Sequence, residues 1–225
     1  MSGFAKWTRW AWRWGKRLVL FSVLVAVVLS AWAVYAYKTH VVVMQDHISR
    51  DAIELVIAQE SPVLYADGRE KIGVFFAQEH RQYLTFREAA ELQEDWIPDA
   101  WVDAIVAAED QRFFEHPGVD VRGIARAMRQ NIAAGRVVSG GSTLTQQTAK
   151  NLYYRPDRSL QSKWEELVNA LRLEHHYSKE EILEFYANQF HVSANGRGMG
   201  IAARYFFNKQ AKDLTVLECA FLAGM

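Results

Sequence analysis

Residues 18–37, LVLFSVLVAVVLSAWAVYAY, run for twenty positions without a charge. No other stretch limits so tightly what this chain can fold into. A helix of that length spans about 30 Å, the hydrocarbon thickness of a bilayer, and a helix bonds its own backbone polar groups where there is no water. No polar stripe gives the run a wet face, which argues against the core helix of a soluble protein. Lys6, Arg9, Arg13, Lys16 and Arg17 precede it, and the first acid is Asp46. That basic flank predicts a cytoplasmic N-terminus, with the rest of the chain beyond the membrane. Trp7, Trp10, Trp12 and Trp14 at one end, and Trp32, Tyr35 and Tyr37 at the other, fit interfacial aromatic belts. A cleaved signal peptide is the alternative, but the run is long for one and Ala31-Trp32-Ala33 is a weak cleavage site.

The remainder of the 225 residues suffices for one domain of ordinary size. With a formal net charge of +0, and an anchor that places it outside the cytoplasm, the domain is a poor candidate for nucleic-acid binding. The single cysteine, Cys219, stands in an apolar context and supports neither a disulfide framework nor a cysteine metal site. Residues 38–60 read as a helix leaving the membrane. SPVLYADGREKIGVFF, from Ser61, reads as two short strands around Ala66-Asp67-Gly68. Residues 77–96 are polar loop and short helix, and from Pro98 the pattern is helical. Pro117-Gly118 ends the first helix, Asp120 is placed to cap the next, and Gly135 stops that one. Ser178 with Glu181 makes a capping box. The expected organisation is a basic segment 1–17, a transmembrane helix 18–37, a β-hairpin neck 38–96 and an all-helical domain 97–225. The last apolar run reaches Met225 without a terminator, so the helical domain is expected to continue in a longer protein.

Three stretches carry candidate chemistry. In AEDQRFFEHPGVD, residues 108–120, Glu109 falls between Ile105 and Phe113 on one predicted helical stripe. A carboxylate among apolar side chains loses solvation and becomes a better base near neutral pH. Asp110 points elsewhere and can hold the helix or the following loop. His116, before Pro-Gly, reads as a hydrogen-bonded turn residue. In GGSTLTQQTAKN, residues 140–151, the glycines permit close backbone approach, and Ser142 or Thr143 starts a helix whose free N–H groups favour an anion. Gln146, Gln147, Lys150 and Asn151 fall on neighbouring turns and read as a ligand wall. Arg122, Arg126 and Arg129 form one basic stripe, and Arg158, Lys163 and Glu166 a second set. A pyrophosphate-bearing lipid at a membrane surface would account for the cations and the anchor together.

These stretches resemble the peptidoglycan glycosyltransferases, the family that polymerises lipid II. Glu109, Asp110, Phe113, His116 and Gly118 match its E-D-x-x-F-x-x-H-x-G motif. Residues 140–151 match its second motif, Lys163 and Glu166 the K-x-x-E of its third, and KEEILEFYAN, residues 179–188, its fourth. Ser162 stands where the family usually carries a basic residue. The resemblance implies a mainly α, lysozyme-like helical fold with a membrane-embedded jaw, behind the transmembrane helix and hairpin neck. It implies Glu109 as the general base, acting on the acceptor's GlcNAc 4-hydroxyl, with inversion at MurNAc C1 and release of lipid pyrophosphate. Glu166 would assist at the donor phosphate, and Lys150, Arg158, Lys163 and Arg126 would hold the leaving group. Ser142, Gln147 and Asn151 would line the donor site. The implied cofactor is at most a divalent cation, Mg or Mn, on Glu166. The implied partners are lipid II, the growing glycan strand, the bilayer and cell-wall synthesis proteins, at a single-pass inner-membrane location with the domain in the periplasm. Two other readings compete: a non-catalytic lipid II-binding scaffold, and a lysozyme-type hydrolase. The cationic wall argues against the hydrolase, because hydrolysis of a neutral glycoside releases no anion.

Overall fold

The computed structural model describes residues 2–57, 61–64, 71–75, 80–81, 83–86, 94–153, 157, 159–189, 191–193 and 196–225. They divide into two compact units, Met1–Val43 and Met44–Met225. The first unit is one helix, α1 (Ser2–Tyr37), closed by a π turn over Lys38–Val42. Its stretch Trp14–Val42 contains an 18-residue window with a mean hydropathy of 2.5 and is long and apolar enough to cross a membrane. The hydroxyls inside it bond back to the preceding turn: Ser22 Oγ donates to the Leu18 carbonyl and Thr39 Oγ1 to that of Tyr35, both at 2.9 Å. Such back-bonding satisfies a hydroxyl that lipid cannot. At the basic end Lys16 Nζ lies 5.1 Å from the Trp12 ring and the Arg17 guanidinium 5.5 Å from that of Trp14.

The second unit is mainly helical, as expected. A 3₁₀ turn, Asp46–Ile48, leads into α2 (Arg50–Val56), whose N-cap Ser49 accepts from the Ala52 N–H. The expected hairpin is present as β1 (Ser61–Leu64) antiparallel to β2 (Lys71–Phe75), in register Ser61 to Phe75. Its turn residues, Ala66-Asp67-Gly68, lie outside the described residues. The stretch expected to be loop and short helix holds short strands instead: β3 (His80–Arg81), β4 (Thr85–Phe86) and β5 (Trp96–Ile97). β4 pairs parallel with β5, and β3 pairs parallel with β7 (Gly196–Arg197), which continues antiparallel to β6 (His191–Ser193). Two-residue strands leave no periodic pattern to read, so the sequence could not show them.

Helices α3 (Asp99–Glu109), α4 (Val121–Ala134), α5 (Leu144–Leu152), α6 (Leu160–His176), α7 (Lys179–Ala187), α8 (Met199–Phe207) and α9 (Val216–Ala223) make up the rest. Local chemistry sets their ends. Pro98 is the N-cap of α3, and Gly135, at φ 62°, closes α4 in the left-handed conformation. Capping boxes start α5 (Thr143, Gln146), α7 (Ser178, Glu181) and α9 (Thr215, Glu218). Trp101, Phe113, Leu144, Leu173, Ile182 and Phe185 are fully buried in one core, which also takes in Ile53, Ile57, Leu84 and Ile97 from the segment before α3. Cys219 lies free in that core, its thiol pushed up by burial and by the neighbouring Glu218 charge.

Asn188 fastens the incoming segment to the helices. Its Oδ1 accepts the Leu84 N–H at 2.8 Å, and its Nδ2 donates to the Leu84 and Glu184 carbonyls, also at 2.8 Å. Beside it Tyr83 Oη donates to the buried Glu184 carboxyl at 2.5 Å. Replacing Asn188 with alanine strands both Leu84 backbone groups away from water. The expected loss is about 2–4 kcal/mol of unfolding free energy, read by denaturant titration followed by near-ultraviolet circular dichroism.

Candidate active site

The acidic pair sits where α3 stops. Asp110 leaves the helical conformation at φ −154°, ψ 73°, so the two neighbouring carboxylates point apart. Asp110 is buried. Its two carboxylate oxygens accept from His116 Nε2 at 3.0 Å each, and Oδ2 also accepts the Leu144 N–H at 3.1 Å. The Asp110 carbonyl accepts the Phe113 N–H at 2.9 Å and opens the 3₁₀ turn Phe113–Glu115, which drops the Phe113 ring into the core. Lys179 supports the same loop from α7: its Nζ donates to the His116 carbonyl and to Glu174, both at 2.7 Å, and lies 4.3 Å from the Phe113 ring centroid. Gly118, at φ 87°, is required there, because a Cβ would come within 2.8 Å of Glu174 Cγ. The readings of Asp110 as a loop holder and of His116 as a bonded turn residue both fit this arrangement.

Glu109 differs from its expectation. The helix ends at this residue, so Phe113 belongs to the next turn and no apolar stripe continues across Glu109. The carboxylate is exposed, and its Oε2 accepts from Gln147 Nε2 at 2.8 Å. The nearby phenol of Tyr186 is pushed up to about 12, first by burial and then by the Glu109 charge.

The start of α5 also differs from its expectation. A helix start has free N–H groups that suit an anion. Here the Leu144 N–H is taken by Asp110, and the Gln146 N–H by Thr143 Oγ1 at 3.2 Å. Thr143 Oγ1 itself donates to the Gly118 carbonyl at 2.7 Å, and the Thr143 N–H goes to Gln146 Oε1 at 3.1 Å. The anion that this helix start attracts is therefore the protein's own carboxylate. Thr143, with Gln146 three residues on, carried a readable capping signature; its bond to Gly118 had none.

The other candidates gather on α5 and α6, which pack together. Lys150 is exposed one turn beyond Gln147, beside half-buried Asn151. Lys150 and the buried Glu166 line one pocket, open to solvent, together with Tyr153 and Asn169. Lys163 Nζ bonds Glu166 Oε1 and lies 3.4 Å from Ser142 Oγ, which ties the glycine loop to α6. Ser162, the departure in the third motif, is buried and donates to Asp157 Oδ1 at 2.7 Å, next to the Ser159 cap of α6. Arg126 is exposed on α4, and among the described residues no hydrogen bond or ion pair joins it to this group. Arg158 lies outside the described residues. Glu166, the residue expected to hold a divalent cation, is bonded by the Lys163 ammonium, and among the described residues no three His, Cys, Asp or Glu side chains converge.

Residues 70–225 match the family model described as Transglycosylase. The chain belongs to the transglycosylase family. Penicillin-binding protein 1F of Bacillus subtilis (strain 168) is 35% identical over 211 residues, covering 93% of this chain and 28% of that protein. Penicillin-binding protein 1A of Neisseria flavescens is 42% identical over 162 residues, 72% of this chain and 19% of that protein, and that of Neisseria cinerea is 40% identical over the same length. The chain thus spans well under a third of the curated relatives it matches. Within the transglycosylase domain, the first and second motifs are bonded to each other through Asp110 and Leu144. Asp110→Ala strands buried donors on His116 and Leu144, and the expected cost is about 3 kcal/mol of stability, measured as a lowered midpoint in urea.

Proposed function

We propose that this chain is a membrane-anchored peptidoglycan glycosyltransferase that polymerises lipid II. The observation that carries the reading is the solvent-facing Glu109 carboxylate held by Gln147, on a helix whose next turn presents Lys150. Transfer requires a base for one hydroxyl and cations for a departing pyrophosphate. The acceptor's GlcNAc 4-hydroxyl loses its proton to Glu109 as its oxygen attacks C1 of the donor's MurNAc. The bond from C1 to the phosphate oxygen breaks, its electrons leave with the lipid pyrophosphate, and attack from the opposite face inverts the anomeric centre. The leaving group is already anionic and needs positive charge more than a proton donor. Lys150 and Lys163 supply that charge, with Arg158 and Arg126. Glu166, buried beneath Lys163, aims the ammonium, and Ser142 and Asn151 face the donor sugar.

Membrane placement draws on two features. The stretch Trp14–Val42 is long enough to span the bilayer once, and the basic residues before it favour a cytoplasmic N-terminus and a periplasmic domain at the inner membrane. On α4, Val121, Ile124, Met128 and Ile132 form an exposed apolar stripe, continued by exposed Val137 and Val138. This stripe would dip into the outer face of that membrane, as the jaw of the resembled family does, and bring the site to a lipid-borne substrate. The growing glycan strand and cell-wall synthesis proteins are the expected partners.

Lipid II polymerisation in detergent micelles tests the reading. Glu109→Gln is expected to lower the rate about 10²–10⁴-fold while lipid II binding persists. Equal turnover in both proteins would remove Glu109 from the mechanism. Binding without turnover by the parent would make the domain a scaffold, and cleavage of finished glycan would make it a hydrolase.

A further inference from the structure

We propose that Gln147 is the positioning residue of the base, holding the Glu109 carboxylate in place rather than binding the donor sugar. This rests on the reading of Glu109 as the base. Glu109 is the last residue of its helix, it is exposed, and the chain turns away immediately after it. A glutamate so placed spreads over several rotamers, and fixing one costs side-chain entropy. Gln147 arrives from α5, whose first turn is bolted to the catalytic loop by the Asp110–Leu144 and Thr143–Gly118 bonds. Its Nε2 donates to Glu109 Oε2 at 2.8 Å, and in this reading the carboxylate's other oxygen, Oε1, takes the acceptor's proton. A carboxylate accepts only, so the amide nitrogen must be the atom turned toward it.

The other acidic residue of the site shows why the donor is neutral. Glu166 is bonded by the Lys163 ammonium and is thereby committed as a counter-ion. An ammonium on Glu109 would discharge the base in the same way, whereas an amide orients it and leaves it able to take a proton. The Tyr186 phenol of α7 feels the Glu109 charge, and Lys150 stands one turn beyond Gln147 on α5.

The test is the kinetics of lipid II polymerisation in detergent micelles for the parent, Gln147→Ala and Gln147→Asn. For Gln147→Ala kcat should fall about tenfold to a hundredfold, with KM within about threefold of the parent. Gln147→Asn, which withdraws the amide by one methylene, should fall between the two; if the alanine variant does not fold, the asparagine variant decides alone. A raised KM with kcat unchanged would overturn the proposal and return Gln147 to the donor site. Glu109→Gln is run alongside: turnover by that variant would mean that the base assignment itself had failed, whatever Gln147 does.

Discussion

The site depends on one buried carboxylate. Asp110 closes α3, holds His116 across the loop and caps the first turn of α5, and all three bonds lie in the protein interior. A buried charge is tolerated only when its hydrogen bonds are filled, and Asp110 fills them with groups from two separate motifs. Its neighbour Glu109 is thereby left exposed at the point where the helix breaks. Adjacent acids in the sequence become a buried fastener and an exposed carboxylate because the backbone turns sharply between them.

The same economy recurs one layer out. Lys179 and Glu174 support the far side of the loop, and Thr145 Oγ1 donates to Glu174 at 2.5 Å, so α5, α6 and α7 all brace it. Asn188 at the end of α7 clamps Leu84, which brings the segment before α3 into the core. The fourth motif therefore supplies structure rather than reacting groups: Glu184 is buried against Tyr83, and Asn188 is spent on backbone. Glu109 at the end of α3 and Lys150 on α5 stay exposed at the surface instead.

The long-range order was legible in particular residues. The uncharged run 18–37, the hairpin strands on either side of Ala66-Asp67-Gly68, the Ser178–Glu181 cap and the glycine at 135 each carry a local signal, and each element is present. Two-residue strands such as β4 and β5 have no such signal and were missed. At the site, residue types were legible but pairings were not. Helical spacing put Glu109 on an apolar stripe because periodicity cannot see that the helix stops at Glu109, one turn before Phe113. It also left the start of α5 open to an external anion, because the carboxylate that fills it comes from 34 residues earlier in the chain. Ser162 reads as a lost cation in the sequence; in the fold it is a buried hydroxyl bonded to Asp157.

The most direct measurement is amide hydrogen exchange at Leu144. First-turn N–H groups of a helix lack an intrahelical partner and exchange fast when they face solvent. If Asp110 holds this one, Leu144 should exchange with the slow amides of the core. The protection should persist in Glu109→Gln and disappear in Asp110→Ala. Fast exchange at Leu144 in the parent would contradict the account: the helix start would be open, and the two acids would no longer divide the work between structure and chemistry.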